Sequence, residues 1–121
     1  MDYGGWGGVY KRVLEGVYMK LVECSDEILI VETLLEPGAR VPEHSHKSSQ
    51  ASIVLKGSLV FGVEGRGEKV LRAGDYTILP SGVKHWARAL EHSVVLDVNW
   101  PLTRDRMDLV EKLGGCRGVP G

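Results

Sequence analysis

Short apolar segments, each interrupted by glycine, proline or a polar turn, constrain the fold of this chain more than any other feature. They are rich in Val, Ile, Tyr and Thr, the residues that favour strands. Turns such as Pro37-Gly38 and Pro80-Ser81-Gly82 separate them. Nine strands are predicted, over residues 9–14, 17–24, 27–35, 51–56, 58–63, 69–72, 76–79, 85–89 and 93–98. This spacing predicts an all-β antiparallel sandwich or barrel, and a short helix is expected over residues 104–113.

Length and charge exclude several classes of protein. A chain of 121 residues allows one domain, and a net charge of −1 gives no support for nucleic-acid binding. No apolar run is long enough to span a membrane, and the first residues lack the pattern of a signal peptide. We therefore expect a cytoplasmic protein with one domain over residues 9–113. Residues 1–8 and 114–121 are rich in glycine and are expected to be flexible ends.

The two cysteines are predicted to stay reduced. Cys24 and Cys116 form no Cys-x-x-Cys motif, and a chain without a targeting signal is expected in a reducing compartment. A bridge between them is the alternative. Gln50 and Asn99 are the only side-chain amides, and this scarcity is typical of thermophilic proteins.

Three histidines and a glutamine indicate a metal site. His44 and His46 lie two residues apart in an extended segment, so their side chains share one face. Gln50 follows four residues later, and His85 comes just after the turn at residues 80–82. Imidazole nitrogens with one amide oxygen suit a divalent transition metal. A chance arrangement of surface histidines is the alternative.

The spacing around these residues resembles the two signature motifs of the cupin superfamily, G-x5-H-x-H-x3/4-E-x6-G and G-x5-P-x-G-x2-H-x3-N. Residues 38–57 read G-x5-H-x-H-x3-Q-x6-G, and residues 74–89 read G-x5-P-x-G-x2-H-x3-A. The resemblance implies a small double-stranded β-helix, a jelly-roll barrel, that holds one divalent ion through His44, His46, Gln50 and His85. The metal, whether Mn, Fe, Co, Ni, Cu or Zn, is left open. Because Gln50 replaces the usual Glu, the ligands are neutral and metal-bound oxygens should be more acidic. Loss of the metal through the same replacement is the alternative.

The segment that starts at Asp97 resembles the small cupins of pectin and alginate breakdown, which convert unsaturated uronates into linear ketonic acids. Their pattern is close to Asp-Val-Phe-Ser-Pro-Pro-Arg-Glu-Asp, whereas this chain reads Asp-Val-Asn-Trp-Pro-Leu-Thr-Arg-Asp. The resemblance implies that Asp97 is a general acid and base and that Arg104, or else Arg88, binds a substrate carboxylate. The alternatives are a buried Asp97 bonded to Arg88 or to main chain, and a solvated Arg104. Trp86 and Trp100 are expected either to stack on a sugar ring or to pack in the core.

The sequence therefore leads to one main hypothesis and two alternatives. The main hypothesis is a metal-dependent isomerase that opens and tautomerises a small unsaturated sugar acid. The alternatives are a metal-dependent dioxygenase and a non-catalytic module that binds sugar or metal. A homodimer is expected, formed through an edge strand near the N-terminus.

Overall fold

The computed structural model describes residues 7–116, and the predicted all-β class is confirmed. The strands are β1 (Lys11–Leu14), β2 (Val17–Cys24), β3 (Leu29–Leu35), β4 (Arg40–His44), β5 (Ser49–Lys56), β6 (Ser58–Val63), β7 (Gly67–Arg72), β8 (Tyr76–Leu79), β9 (His85–Ala89) and β10 (Ser93–Trp100). A 3₁₀ turn over Arg104–Arg106 leads into α1, Met107–Lys112. The expected flexible ends, residues 1–8 and 114–121, lie largely outside the described residues.

The strands form two antiparallel sheets. The six-stranded sheet has the order β1-β2-β3-β10-β5-β8, and the four-stranded sheet has the order β4-β9-β6-β7. Alternate residues of each strand face inwards, so apolar side chains from both sheets meet in one core. Its buried members include Val17, Leu35, Val54, Leu59 and Phe61. Because most sequence neighbours are not neighbours in these sheets, the chain crosses repeatedly from one sheet to the other.

Strand β4 is absent from the predicted strands. It contains Pro42, which has no N–H for a sheet hydrogen bond and therefore argues against a strand in the middle of a sheet. The structure places β4 at the edge of the four-stranded sheet, where only β9 pairs with it. An edge position tolerates the missing donor, and the segment that was predicted only as extended becomes a strand that ends at His44.

The register of β10 places polar side chains in adjacent rows inside the six-stranded sheet. Asn99 lies opposite Gln50, and Asp97 lies opposite Ser52. Directly opposed residues of an antiparallel pair point to the same face. These four side chains therefore face the space between the sheets at one end of the barrel.

Helix α1 packs on β2 and β3 of the six-stranded sheet and brings the cysteines together. Val110 and Leu113 join Leu21, Leu29 and Val31 in a second apolar cluster. That packing carries the chain end back to the end of β2, where a disulfide joins Cys24 to Cys116.

The Cα atoms of the two cysteines are 5.2 Å apart, within the range that a disulfide requires. The prediction that both thiols stay reduced is therefore wrong for this structure. Among residues 7–116, neither helical segment is long and apolar enough to cross a membrane.

Candidate metal centre

Three histidine side chains meet at one end of the barrel. His44 ends β4 and pairs directly with His85, the first residue of β9. The turn before β9 donates a main-chain hydrogen bond from Gly82 to the carbonyl of His46 over 2.9 Å. One nitrogen from each ring lies within 4.8 Å of the others, so the three side chains are close enough to hold a single metal ion.

The hydrogen bonds of the rings leave Nε2 of His44 and His85 without a partner among the described residues. Nδ1 of His44 lies 2.8 Å from the carbonyl of Pro42, and Nδ1 of His85 lies 3.1 Å from that of Val83. On His46, Nε2 donates to Gln50 Oε1 over 2.7 Å and Nδ1 accepts from Ser48 Oγ over 2.8 Å. A carbonyl only accepts, so on His44 and His85 Nδ1 carries the proton of the neutral ring and Nε2 keeps its lone pair. This is the arrangement in which metal-binding histidines are usually oriented.

Two further observations fit a metal ion. Nε2 of His85 is buried and has no hydrogen-bond partner among the described residues, which is costly unless a cation occupies that position. Burial also lowers the pKa of His85 to about 4 and lowers the pKa of His46. Both rings are therefore neutral at pH 7, as metal ligation requires.

Asp97 and Ser52 fix the orientation of Gln50. Its Nε2 donates to Ser52 Oγ at 2.8 Å and to Asp97 Oδ1 at 3.3 Å. Its Oε1 then points to the histidines, 2.7 Å from Nε2 of His46. A carboxylate accepts but does not donate, so this orientation of the amide is the one that satisfies Asp97. A glutamate at this position would instead set a second carboxylate beside Asp97, which is a physical reason for the unusual glutamine.

Asp97 is partly buried and bound by hydroxyl groups. Thr33 Oγ1 donates to Oδ2 over 2.9 Å, and Ser52 Oγ donates to Oδ1 over 2.7 Å. Burial raises the pKa of Asp97, and these two hydrogen bonds oppose that shift. Arg88, which the sequence offered as an alternative partner of Asp97, is exposed on β9. The described side chains that form hydrogen bonds with Asp97 are those of Thr33, Ser52 and Gln50.

These groups open onto a cavity of about 370 Å³, which lies within the usual range for small-molecule sites. Its polar lining includes side chains from both sheets and from the 3₁₀ turn, namely His44, His85, Gln50, Asp97 and Arg106. His46 lies just behind them and is 7% exposed.

The two tryptophans that could stack on a ligand lie in different places. Trp86 borders the cavity, but on β9 it alternates with the inward-facing His85 and Ala87. Its ring packs over Gly62 of β6, and its Nε1 donates to Glu68 over 2.8 Å. Trp100 is 39% exposed and does not line the cavity. Neither tryptophan ring is therefore directed into this cavity.

The arginine that reaches the cavity is Arg106 and not the predicted Arg104. Arg104 is exposed at the start of the 3₁₀ turn and does not line the cavity. Residues two apart on a helical turn face different directions, so Arg106 points inwards instead. Its Nε is buried without a hydrogen-bond partner, and in residues 7–116 it forms no ion pair. The sequence alone could not choose between the two arginines, because the phase of the turn depends on how α1 packs.

Two residues near the site have positioning roles that the sequence did not reveal. Asp105 accepts hydrogen bonds from the main chain of Lys47 at 2.7 Å and from Thr103 at 2.5 Å. It thereby fastens the turn that carries Arg106 to the loop that follows His46. Asn99 is fully buried and accepts a hydrogen bond from Ser48 at 3.2 Å.

Comparisons with known proteins agree with this geometry. Residues 31–99 match the model of the cupin domain family. KdgF from Halomonas sp. is 28% identical, with a TM-score of 0.75 and coverage of 80% of this chain and 89% of that one. An RmlC-like cupin from Shewanella frigidimarina is 26% identical, with a TM-score of 0.79 and coverage of 87% and 96%. The protein TT1209 from Thermus thermophilus is 28% identical, with a TM-score of 0.66 and coverage of 72% and 85%. Among curated protein sequences, none matches this chain.

The family match covers more than half of the chain and includes all three histidines and Gln50. The similar structures share the barrel over most of their length. The predicted jelly-roll barrel is thus confirmed, and its histidine cluster is compatible with a metal ion. With both signature motifs and the barrel in place, the chain belongs to the cupin family.

Proposed function

We propose that this cupin is a metal-dependent enzyme that opens the ring of an unsaturated uronate and tautomerises the product. One observation supports it most: an arginine without a salt bridge, a carboxylate of raised pKa and the histidines His44 and His85 line a single cavity. The resemblance of the Asp97 segment to the small cupins of pectin and alginate breakdown supports the substrate class, and the similarity to KdgF agrees with it.

In this proposal His44, His46, Gln50 and His85 would hold one divalent ion. When bound, the ion supplies Lewis acidity toward oxygen atoms of the substrate. The Nε2 atoms of the histidines and Oε1 of Gln50 would be the donor atoms, because Nδ1 of each ring and Nε2 of Gln50 have other partners. The ion would replace the hydrogen bond between His46 Nε2 and Gln50 Oε1. The identity of the metal is left to elemental analysis of protein that was purified without a metal-affinity tag.

Arg106 takes the part that was predicted for Arg104. A guanidinium binds a carboxylate through two parallel hydrogen bonds, and such pairs are stronger where water is excluded. The charges of Asp97 and Asp105 act on Arg106, but among the described residues it forms no salt bridge. A substrate carboxylate would give the guanidinium a direct partner. Asp105 holds the turn in place through its contact with Lys47.

Asp97 would move the proton that the reaction requires. The hydroxyl on the anomeric carbon loses a proton, the bond from that carbon to the ring oxygen breaks, and an alkene carbon gains a proton. The reaction is an isomerisation, so no co-reactant is needed. A carboxyl group whose pKa is raised by burial is better suited to donate and accept a proton near neutral pH than an ordinary aspartate.

The activity is tested by adding an unsaturated uronate monomer to metal-loaded protein and following the ultraviolet absorbance of the conjugated alkene. We expect the absorbance to fall with the wild type. The fall should be slower by about 100-fold or more with Asp97→Asn, because general acid–base groups contribute about 10²–10⁴-fold. Arg104→Ala, the matched control for Arg106→Ala, should react as fast as the wild type. A fully metal-loaded wild type that reacts no faster than the buffer would overturn the proposal, and oxygen uptake with a catechol would then favour the dioxygenase.

We also propose that two copies pair through the outer face of the six-stranded sheet. Leu55, Tyr76 and Ile78 lie on the outward positions of β5 and β8 and are 46%, 65% and 55% exposed. Exposed apolar patches of this kind often mark protein interfaces. Light scattering should give the mass of a dimer for the wild type and of a monomer for Ile78→Glu. A monomeric wild type at high concentration would refute the pairing.

A further inference from the structure

The cavity changes from polar to apolar along the axis of the barrel. On β10 the inward positions run from Asn99 through Asp97 to Val95. On β9 they run from His85 to Ala87, which lies opposite Phe61 of β6. The histidines and Asp97 therefore lie at one end of the cavity, and the next rows of side chains are hydrocarbon.

The walls of this second end come from both sheets. The side chains that line it are Leu35, Val41, Leu59, Phe61 and Val95. Two other charged residues line the cavity, Glu43 and Lys112, and both are exposed to solvent. Lys112 Nζ donates to the main-chain carbonyl of Val13 at 3.2 Å. The buried polar side chain nearest this end is that of Thr33, opposite Val95, and its hydroxyl already donates to Asp97 Oδ2 over 2.9 Å.

This composition determines which ligands the cavity favours. A hydroxyl group that is buried without a partner weakens binding by roughly tenfold or more. Each methylene group that leaves water strengthens binding by about fourfold. A bare sugar ring carries hydroxyls on most of its carbons, so it cannot satisfy the apolar end, whereas an alkyl or aryl group can.

We propose that the cavity selects amphipathic acids, with the carboxylate near Arg106 and an alkyl or aryl group against Phe61, Val41 and Val95. The inference rests on the proposed function for the position of the carboxylate. It narrows the substrate class from a bare uronate to an unsaturated acid that carries an apolar substituent. Val41 and Phe61 are then specificity-determining residues, because they face the substituent and not the reacting atoms.

The test is calorimetric titration of the full chain, both metal-free and loaded with Zn²⁺, with acetate, butyrate, hexanoate, octanoate and glucuronate. We expect affinity to rise with chain length, so that hexanoate binds on the order of 100-fold more tightly than acetate. Glucuronate should bind more weakly than hexanoate. An affinity that stays flat from acetate to octanoate, or that is highest for glucuronate, would overturn the inference.

A pair of isosteric variants locates the apolar end. Val41→Thr replaces one methyl group with a hydroxyl inside the cavity, and we expect it to weaken hexanoate binding by about three- to tenfold without changing acetate binding. Val60→Thr makes the same change on the opposite face of β6, outside the cavity, and should change neither. A folded Val41→Thr protein that binds hexanoate like the wild type would contradict the assignment. If that variant does not fold, the chain-length series of the wild type decides.

The two proposals fail separately. Tight binding of hexanoate without turnover of any unsaturated uronate would overturn the proposed function and leave the amphipathic cavity supported. Rapid turnover of the bare uronate, together with an affinity that does not change with the length of the fatty acid, would support the proposed function and overturn the amphipathic cavity.

Discussion

Replacing Gln50 with glutamate should make the stability of the metal-free protein depend on pH in a defined way. Gln50 Nε2 lies 3.3 Å from Asp97 Oδ1, so Gln50→Glu removes a donor and sets a carboxylate beside a carboxylate. Two full charges at that separation repel by about 5 kcal/mol at an effective dielectric constant of about 20.

The pair can avoid this repulsion by holding one proton. Protonating a carboxyl group of ordinary pKa, about 4.3, costs about 4 kcal/mol at pH 7 and about 1 kcal/mol at pH 5. At pH 7 the protonated pair is therefore the less costly state, and we expect Gln50→Glu to lower the free energy of unfolding by about 4 kcal/mol. The folded variant then binds one more proton than the unfolded chain, so the deficit should shrink by about 3 kcal/mol between pH 7 and pH 5.

Urea unfolding of the metal-free protein at pH 5, 6 and 7, with the wild type as baseline, measures this difference. The double variant Gln50→Glu with Asp97→Asn removes the second charge and should remove most of the extra pH dependence, which closes a double-mutant cycle. Saturating Zn²⁺ should stabilise Gln50→Glu more than the wild type, because a cation offsets the added charge. If Gln50→Glu unfolds like the wild type and with the same dependence on pH, the contact between Gln50 and Asp97 does not exist as described.

Three further predictions concern His85, the disulfide and the packing of Trp86. Burial lowers the pKa of His85 to about 4, so between about pH 4 and 6.5 the unfolded metal-free chain binds one proton more than the folded chain. The free energy of unfolding should therefore fall by about 3 kcal/mol as the pH falls through that window. Urea titrations should show that His85→Asn flattens this fall. The disulfide closes a loop with a sequence separation of 92 residues, so a reducing agent should lower the free energy of unfolding by up to about 5 kcal/mol. A wild type that melts at the same temperature with and without the reducing agent would contradict this prediction. A Cβ atom on Gly62 would lie 1.9 Å from the ring of Trp86, so Gly62→Ala should lower the free energy of unfolding by about 1–3 kcal/mol. The variant should also shift the tryptophan fluorescence, and an unshifted spectrum would mean that the ring does not lie over Gly62.

Local spacing was sufficient to predict much of the metal site. His44 and His46 are two residues apart on extended backbone, and alternation alone puts them on one face. Gly57 has a φ of +83°, and a Cβ there would lie 2.3 Å from the carbonyl of His92. The turn therefore requires a glycine at this motif position. In the sequence this requirement appears as a glycine at a set distance from Gln50.

Long-range packing decided the features that local patterns did not predict. Whether Arg104 or Arg106 faces the cavity depends on the phase of a short helical turn, which Asp105 and its contact with Lys47 hold in place. The pairing of Cys24 with Cys116 depends on α1 packing against β2, although the two residues are 92 positions apart. Neither contact leaves a periodic signal in the chain.

The class of fold, most of the strands and the residues of the candidate metal site could all be predicted from the chain itself, because short-range alternation and turn geometry encode them. Three properties of the site required the folded barrel: which arginine enters the cavity, why a glutamine stands beside Asp97, and the hydrocarbon lining of the far end. They arise from side chains of different strands that face one another across the barrel. They depend on strand order and register, which no local pattern in the sequence specifies.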